Sequence, residues 1–173
     1  MTQPSSDHTP DSTPTPRPTA GAPVDQNRYV PPANRMEVWS GAVVRWLTAR
    51  GISLMGSRVL VVPGRTSGEL RRTPVNLMEL DGERYLVAPR GNTQWVRNVR
   101  AAGGGELHLG KRVEAVDLLE LPVDERGPLL RVYVTKWGWE VGRFVEGLSK
   151  KSTAAEIAAV APGMPVFRVS TRG

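Results

Sequence analysis

The chain has 173 residues, of which 39% are apolar, a length and composition that suit one globular domain. It contains no Cys, which excludes a disulfide framework, a thiolate nucleophile and zinc–thiolate or iron–sulfur sites. Its net charge is +6, and its apolar runs are far shorter than the roughly 20 residues that a membrane-spanning helix needs.

The distribution of basic residues indicates an anionic partner. Residues 28–173 carry a net charge of +8, and 19 of the 23 basic residues in the chain are Arg. Such a domain typically binds nucleic acid, a membrane surface or a phosphorylated small molecule, and Arg favours bidentate contact with phosphate or carboxylate. The two His are His8 and His108, too few for a His-rich metal site, and a Ser-His-Asp triad could be built only around His108.

The first 27 residues are predicted to form a disordered tail ahead of a folded domain at 28–173. They contain six of the 15 Pro together with many Ser, Thr and Asp, and they have too little apolar surface to offset the entropy of ordering. They also lack the basic start and apolar run of a secretory signal, so we expect a cytoplasmic protein.

Residues 35–50 predict a helix. Met36, Trp39, Val43, Trp46 and Leu47 recur at helical spacing, and Gly51 is a suitable stop. A core-packing helix accounts for this pattern. The two Trp and the neighbouring Arg also fit an amphipathic lid or a peripheral membrane contact through this helix.

The remainder predicts six short strands with helices inserted between hairpins. The strands are expected at 59–62, 73–80, 85–88, 106–109, 112–121 and 164–169, and the Asp81-Gly82 turn joins the second to the third. Helices are expected at 93–102, in broken form over 124–147, and from Ser152 to Pro162-Gly163. This order indicates an α+β fold built on a six-stranded antiparallel barrel with flanking helices.

The segment 64–74 is the first candidate for chemistry. Its glycines allow a tight turn whose amides could point at one anion, and Thr66, Ser67 and Thr73 supply hydroxyl groups. Positive charge comes from Arg65, Arg71 and Arg72. A polar hairpin loop with solvated arginines accounts for the same residues. No Gly-Lys-Ser/Thr follows at nucleotide P-loop spacing.

The segment 88–100 is the second candidate, because a strand ends there and a helix begins. Asn92 or Thr93 can cap that helix, Arg90 lies just before it, and Trp95 offers an aromatic face to a flat ring. An ordinary capped helix with Trp95 in the core is the alternative. Since one hairpin separates the two segments, we expect them to meet near one end of the sheet.

The combined motifs resemble the deazaflavin-dependent nitroreductase family. They read Gly-Arg-x-Ser-Gly-x-x-Arg-x-Thr-Pro from Gly64, Asp-Gly-x-x-Tyr-Leu-Val-Ala from Asp81, and Gly-Asn-x-x-Trp-Val-x-Asn-x-Arg-Ala from Gly91. The resemblance implies a split β-barrel that binds coenzyme F420. Thr66 stands where many members have Lys, the stretch 90–94 is short, and Val96 follows Trp95.

When the family's contacts are carried over by position, the resemblance implies three kinds of cofactor-binding residue. Some contact the phosphate and tail, some lie along the cofactor, and some reach its ring. The implied cofactor-binding residues are Arg65, Thr66, Ser67, Arg71, Arg72, Thr73, Pro74, Val75, Asn76, Ala88, Pro89, Arg90, Gly91, Gln94, Trp95, Val96, Arg97 and Asn98. Candidate substrate contacts are Tyr133, Trp137 and Trp139, with core packing as the alternative. No catalytic side chain and no metal are implied.

The function implied is reduction of a small electron-poor acceptor, such as a quinone or nitroaromatic, by hydride transfer from reduced F420. Three alternatives stay open at this point: an FMN-binding split-barrel oxidoreductase, a non-catalytic F420 carrier, and a nucleic-acid-binding protein. The last is disfavoured because the basic residues are dispersed among carboxylates. Analogy of fold allows a monomer or a homodimer. The Arg-rich, Lys-poor composition fits a GC-rich genome, and the resemblance implies an actinobacterial source, since the family is abundant there.

Overall fold

The computed structural model describes residues 24–31, 56–142, 144, 145 and 147–173. The helix predicted at 35–50, and with it the predicted membrane contact, lies outside these residues. No helix in the described part of the chain is both long and apolar enough to cross a membrane.

Six antiparallel strands form a closed barrel, which confirms the predicted split β-barrel and α+β class. Going round the barrel, the strand order is β1-β2-β3-β6-β5-β4. The strands are β1 Ser57–Pro63, β2 Leu70–Leu80, β3 Glu83–Val87, β4 Gly104–Leu109, β5 Arg112–Glu120 and β6 Val166–Thr171.

Three helices flank the barrel in the described residues: α1 Gln94–Ala102, α2 Arg126–Val141 and α3 Ala154–Val160. Single 3-10 turns at Val123–Glu125 and Ala161–Gly163 precede α2 and follow α3. The expected break over 124–147 is present, because Trp137 has non-helical dihedrals and α2 ends at Val141. Helix α3 begins with a capping box between Thr153 and Glu156, close to the predicted start.

The molecule has two apolar cores on either side of the barrel wall. Inside the barrel, alternate strand residues such as Leu60, Val62 and Leu77 pack against the buried face of α1. The second core lies between the outside of the barrel and helices α2 and α3, and includes Tyr133 and Trp137. Helix α1 is therefore fixed over the barrel interior through Trp95, Val96 and Val99, which sets the position of its first turn.

Strand β2 begins three residues earlier than its sequence predicts. Pro63, Val62 and Val61 pair with Leu70, Arg71 and Arg72, so the ladder with β1 continues through polar residues. The pairing shortens the β1–β2 connection to residues 64–69 and places Arg71 and Arg72 on a strand rather than in a loop.

Residues 24–31 form a segment that we call the N-terminal strap. The Val30 amide donates to the Arg90 carbonyl at 3.0 Å and the Val24 amide donates to the Ala159 carbonyl at 3.3 Å. Val24 is buried in the second core. Packed structure therefore extends to Val24, within the stretch predicted as tail, whereas disorder of residues 1–23 stays a prediction.

The barrel end opposite the β1–β2 turn is closed by an ion pair. Arg84 on β3 donates to both carboxylate oxygens of Glu114 on β5, at 2.9 and 2.7 Å, and the Thr171 hydroxyl donates to Glu114 at 2.7 Å. Hydrogen bonds from Arg84 and then from Thr171 lower the pKa of Glu114 from its ordinary 4.5 to about 2. Three strands are thus joined by one carboxylate.

Candidate cofactor site

The β1–β2 turn is a compact, internally bonded loop. The Gly64 amide donates to the Glu69 carbonyl and the Gly68 amide donates to the Gly64 carbonyl, each at 2.8 Å. Gly68 has a φ of 71°, a conformation that residues with a Cβ rarely adopt. The Ser67 hydroxyl accepts from the Glu69 amide at 3.3 Å. The turn is therefore ordered by its own backbone.

Asn98 on α1 joins this turn to the helix. Its side chain is buried, and its Oδ1 accepts from the Arg65 backbone amide at 3.3 Å and from the Arg65 guanidinium at 3.2 Å. The same guanidinium donates to Gln94 Oε1 at 2.9 Å. The two segments that the sequence placed near one another do converge.

Between the turn and the helix lies a cleft of about 770 Å³, which we call the arginine cleft. It is lined by Gly64, Arg65, Thr66, Ser67, Leu70, Arg71, Arg72, Thr73, Gln94, Trp95 and Asn98. Only Leu70 and Trp95 contribute sizeable apolar side chains to this lining. The volume lies within the roughly 300–1,000 Å³ typical of small-molecule sites.

The charge of the cleft is positive. Amide oxygens rather than carboxylates hold Arg65, and neither Arg65 nor Arg72 forms an ion pair within the described residues. Arg71 pairs with Glu69 at 2.8 Å, but both side chains are more than half exposed, so water screens this pair. Three guanidinium groups are thus available to an anion.

Unpartnered buried donors concentrate near the start of α1. Among the described residues five buried side-chain atoms lack a hydrogen-bond partner, and four of them are Arg28 Nε, Arg90 Nη2, Thr93 Oγ1 and Arg97 Nε. Thr93 is the N-cap of α1, yet its hydroxyl does not cap the helix. Burial lowers the pKa of Arg28, as expected for a cation with no carboxylate beside it. The region beside the cleft is therefore electropositive, and some of its buried hydrogen-bonding groups have no partner.

Arg90 is directed to the strap. Its Nε donates to the Val30 carbonyl at 2.9 Å, and its guanidinium lies 5.5 Å from the centroid of the Phe144 ring. Gly91 has a φ of 80°, and a Cβ there would collide with the Arg28 carbonyl. The strap and the entry to α1 are consequently in close backbone contact.

Nine of the eighteen predicted cofactor residues line the arginine cleft, and nine do not within the described structure. Val75, Ala88 and Val96 lie in the barrel core. Those outside both the cleft lining and the barrel core are Pro74, Asn76, Pro89, Arg90, Gly91 and Arg97. Two lining residues, Gly64 and Leu70, are absent from the eighteen predicted from the sequence. Leu70 could have been found, because it is an apolar residue in an otherwise polar segment.

The predicted substrate residues lie apart from the cleft. Tyr133 and Trp137 are buried in the second core with ring centroids 4.8 Å apart, whereas Trp139 is 63% exposed. His108 contacts Glu106 at 2.6 Å on β4 and does not line the cleft. No group of three or more His, Cys, Asp or Glu side chains in the described residues could hold a metal ion.

Comparison with known proteins decides the family. Residues 35–141 match the model of the F420H(2)-dependent quinone reductases. The chain belongs to this family. This membership confirms the resemblance carried by the motifs, and it implies coenzyme F420 as the cofactor. No curated protein is significantly similar to the chain in sequence.

Three solved structures are similar to this F420H(2)-dependent quinone reductase family member. Protein Atu2129 of Agrobacterium tumefaciens, of unknown function, is 17% identical with a TM-score of 0.50, and the match covers 83% of this chain and 60% of that one. An F420-H2 dependent reductase, FDR-A, is 22% identical with a TM-score of 0.45, over 66% and 94% of the two chains. A structure described as a domain-swapped dimer is 19% identical with a TM-score of 0.49, over 79% and 100%.

The donor set of the arginine cleft fits the implied cofactor. Coenzyme F420 combines a flat deazaflavin ring with a phosphate and a glutamate tail, so it needs an aromatic or apolar wall and several cationic donors. Trp95 and Leu70 supply the wall, and Arg65, Arg71 and Arg72 supply the cations.

Proposed function

We propose that this protein binds reduced F420 in the arginine cleft and reduces an electron-poor acceptor, such as a quinone or a nitroaromatic, by hydride transfer. The observation that carries the proposal is the convergence of three arginines and one tryptophan on a single cleft in a member of an F420H(2)-dependent family. The alternatives of FMN as cofactor and of a non-catalytic F420 carrier are outcomes of the experiments below.

Arg65, Arg71 and Arg72 hold the phosphate and tail in this proposal. Arg65 is preorganised, because Gln94 and Asn98 fix its guanidinium before any ligand arrives. The hydroxyl groups of Thr66 and Ser67 lie in the same lining and can donate to the same oxygens. Trp95 is only 9% exposed, because most of its ring packs in the barrel core, at 5.5 Å on Phe167. The remaining part lines the cleft and is a rigid surface for the ring.

When bound, reduced F420 supplies a hydride, and together with one proton from solvent this converts a quinone to a hydroquinone. The residues of the chain orient the ring and the acceptor and neutralise the anionic arm. The arginines bind a part of the cofactor that is remote from the reacting atoms. The binding energy gained there holds the ring in position for hydride transfer.

Titration of F420 against the protein, followed by its fluorescence, tests the assignment. Arg65→Ala and Arg71→Ala are each expected to weaken binding by about 10-fold or more, the value of a charge-assisted hydrogen bond. Arg112→Ala, an exposed residue at the opposite end of the barrel, is the matched control and keeps full affinity. Unchanged affinity in both cleft variants would reject the placement.

Two further measurements separate the alternatives. FMN titrated in the same way should bind far more weakly than F420, and micromolar FMN binding with none for F420 would reject the choice of cofactor. Oxidation of reduced F420 by a panel of quinones and nitroaromatics tests catalysis. Tight F420 binding without turnover of any acceptor would identify a carrier.

A further inference from the structure

The N-terminal strap pairs with the segment that leads into helix α1. The Asn92 amide donates to the Arg28 carbonyl at 2.6 Å, in addition to the bond already described between the strap and residue 90. Tyr29 lies opposite Gly91 in an antiparallel bridge between these two bonds. The strap therefore adds a short stretch of strand-like pairing immediately ahead of α1.

The Arg28 side chain fixes the strap in this position. It is 8% exposed, its Nη2 donates to the Phe144 carbonyl, and its Nη1 donates to the Pro89 carbonyl at 3.5 Å. At the other end of the strap, the Val24 side chain packs so closely on Gly163 that a Cβ on this glycine would collide with it. The strap is therefore held at both ends by the folded domain.

Helix α1 has no side-chain cap of its own. Thr93 occupies the N-cap position, but its hydroxyl makes no capping bond and is buried without a partner. The start of the helix is held instead at Asn92, whose amide is bound by the strap and whose Oδ1 accepts from Arg100 Nη1 at 3.1 Å. The strap thus supplies part of the fixation that a capping side chain usually supplies.

The start of α1 carries the groups that hold Arg65 in the arginine cleft. Gln94 is the first residue of the helix, Asn98 follows one turn later, and both accept from the Arg65 guanidinium. A shift at the start of α1 therefore moves the acceptors that place this cation. Arg28 itself does not line the cleft, so its effect on a bound cofactor is transmitted by α1.

We propose that Arg28 is a positioning residue of the cofactor site. It holds the strap against Asn92 and so fixes the start of α1, and two amide side chains of this helix then place the Arg65 guanidinium. The inference rests on the proposed function, because the cleft must bind F420. By thermodynamic linkage, F420 stabilises the docked strap by the same factor by which the docked strap strengthens F420 binding.

Amide hydrogen exchange of the full chain without cofactor tests the first step. In Arg28→Ala, the Arg97 amide, which closes the first turn of α1 by donating to the Thr93 carbonyl at 3.1 Å, should exchange about fivefold faster. The Gly103 amide, which donates to the Val99 carbonyl at 2.7 Å in the last turn, is the internal control and should keep its rate. Unchanged exchange of both amides, or an equal acceleration of both through general loss of stability, would overturn the proposal.

Fluorescence titration with F420 tests the second step. Arg28→Ala should weaken binding about fivefold, and KM for reduced F420 should rise by the same factor while kcat is unchanged. Arg28→Lys keeps a donor for the Phe144 carbonyl and should recover part of the affinity. Arg84→Ala breaks the ion pair with Glu114 at the opposite end of the barrel, so this control should lose stability and keep its affinity.

The linkage is tested in the wild-type chain. Saturating F420 should slow exchange of the Val30 amide about fivefold, because its bond to the Arg90 carbonyl exists only in the docked strap. If F420 binds without this effect, or binds equally well to wild type and Arg28→Ala, the proposal is overturned. An equal loss of affinity in Arg84→Ala would also overturn it. Failure of the wild type to bind F420 would instead overturn the proposed function, and exchange without cofactor would still decide whether the strap holds α1.

Discussion

The buried side chain of Asn98 holds Arg65 at two points, through the backbone amide and through the guanidinium. One oxygen atom therefore couples the position of the β1–β2 turn to the position of the cation that projects from it. Because Asn98 lies on the same helix face as Gln94, the first turn of α1 acts as a template for the arginine cleft.

Replacing Asn98 tests this coupling. Asn98→Ala should lower the free energy of unfolding by about 1–2 kcal/mol, since a buried amide bond is lost, and should weaken F420 binding about fivefold by releasing Arg65. Urea denaturation and fluorescence titration measure the two effects. In Asn98→Asp an acceptor oxygen is kept but Arg65 is neutralised, so affinity should fall at least as far. Full affinity in both variants would contradict the template role.

Glu69 is expected to oppose cofactor binding. It pairs with Arg71 at the edge of the cleft, and its negative charge competes with that of an anionic ligand. Glu69→Gln should tighten F420 binding about two- to threefold at low salt. The gain should vanish at about 0.5 M salt, where dissolved ions screen the charges at short distances. Glu83→Gln, at the distant β2–β3 turn, is the charge-matched control. Weaker binding in Glu69→Gln would show instead that the pair positions Arg71.

The Glu114 carboxylate should make stability depend on acid pH. Its folded pKa of about 2 lies below the ordinary 4.5, so its contribution is complete above about pH 4.5 and is lost as pH falls toward 2. Because Glu114 is partly exposed, we expect Glu114→Gln to cost about 1 kcal/mol at neutral pH. Denaturation curves across this window should show the wild type and variant converging at low pH. A constant difference would exclude the ion pair as its cause.

The contact between the strap and Gly91 can be isolated by a pair of alanine substitutions. Gly91 and Gly82 have nearly equal φ values, 80° and 81°, but only at Gly91 would a Cβ meet other atoms. Gly82→Ala should cost about 1 kcal/mol from the left-handed conformation alone. Gly91→Ala should cost about 2–3 kcal/mol more, because the strap must move. Equal losses in the two variants would mean that the strap contributes nothing to stability.

Local sequence patterns predicted most strands of the barrel. The strand residues that they did not predict are set by pairing with strands that are distant in sequence. The Asp81-Gly82 turn and the alternating residues beside it located the β2–β3 hairpin, and Ser152, one residue before the N-cap Thr153, marked the start of α3. The early start of β2 was missed because Arg71 and Arg72 read as loop residues, whereas pairing with β1 makes them strand.

The same distinction holds at the site. The turn residues Arg65 to Ser67 and the helix residues Gln94, Trp95 and Asn98 were implied by the resemblance of their motifs to the family, and they line one cleft. The direction of Arg90 depends on Val30, sixty positions away, and no local pattern encodes that contact. Leu70 was not singled out, although an apolar residue in a polar loop was a local signal for it.

The lining of the arginine cleft consists of arginine, hydroxyl, amide, indole and aliphatic groups. Side chains of these kinds keep one charge state across the physiological range. The lining therefore contributes no ionisation to a pH–rate profile in that range. If the lining is the only part of the protein that contacts the reactants, a change of slope in the profile reports ionisation of the coenzyme or the acceptor.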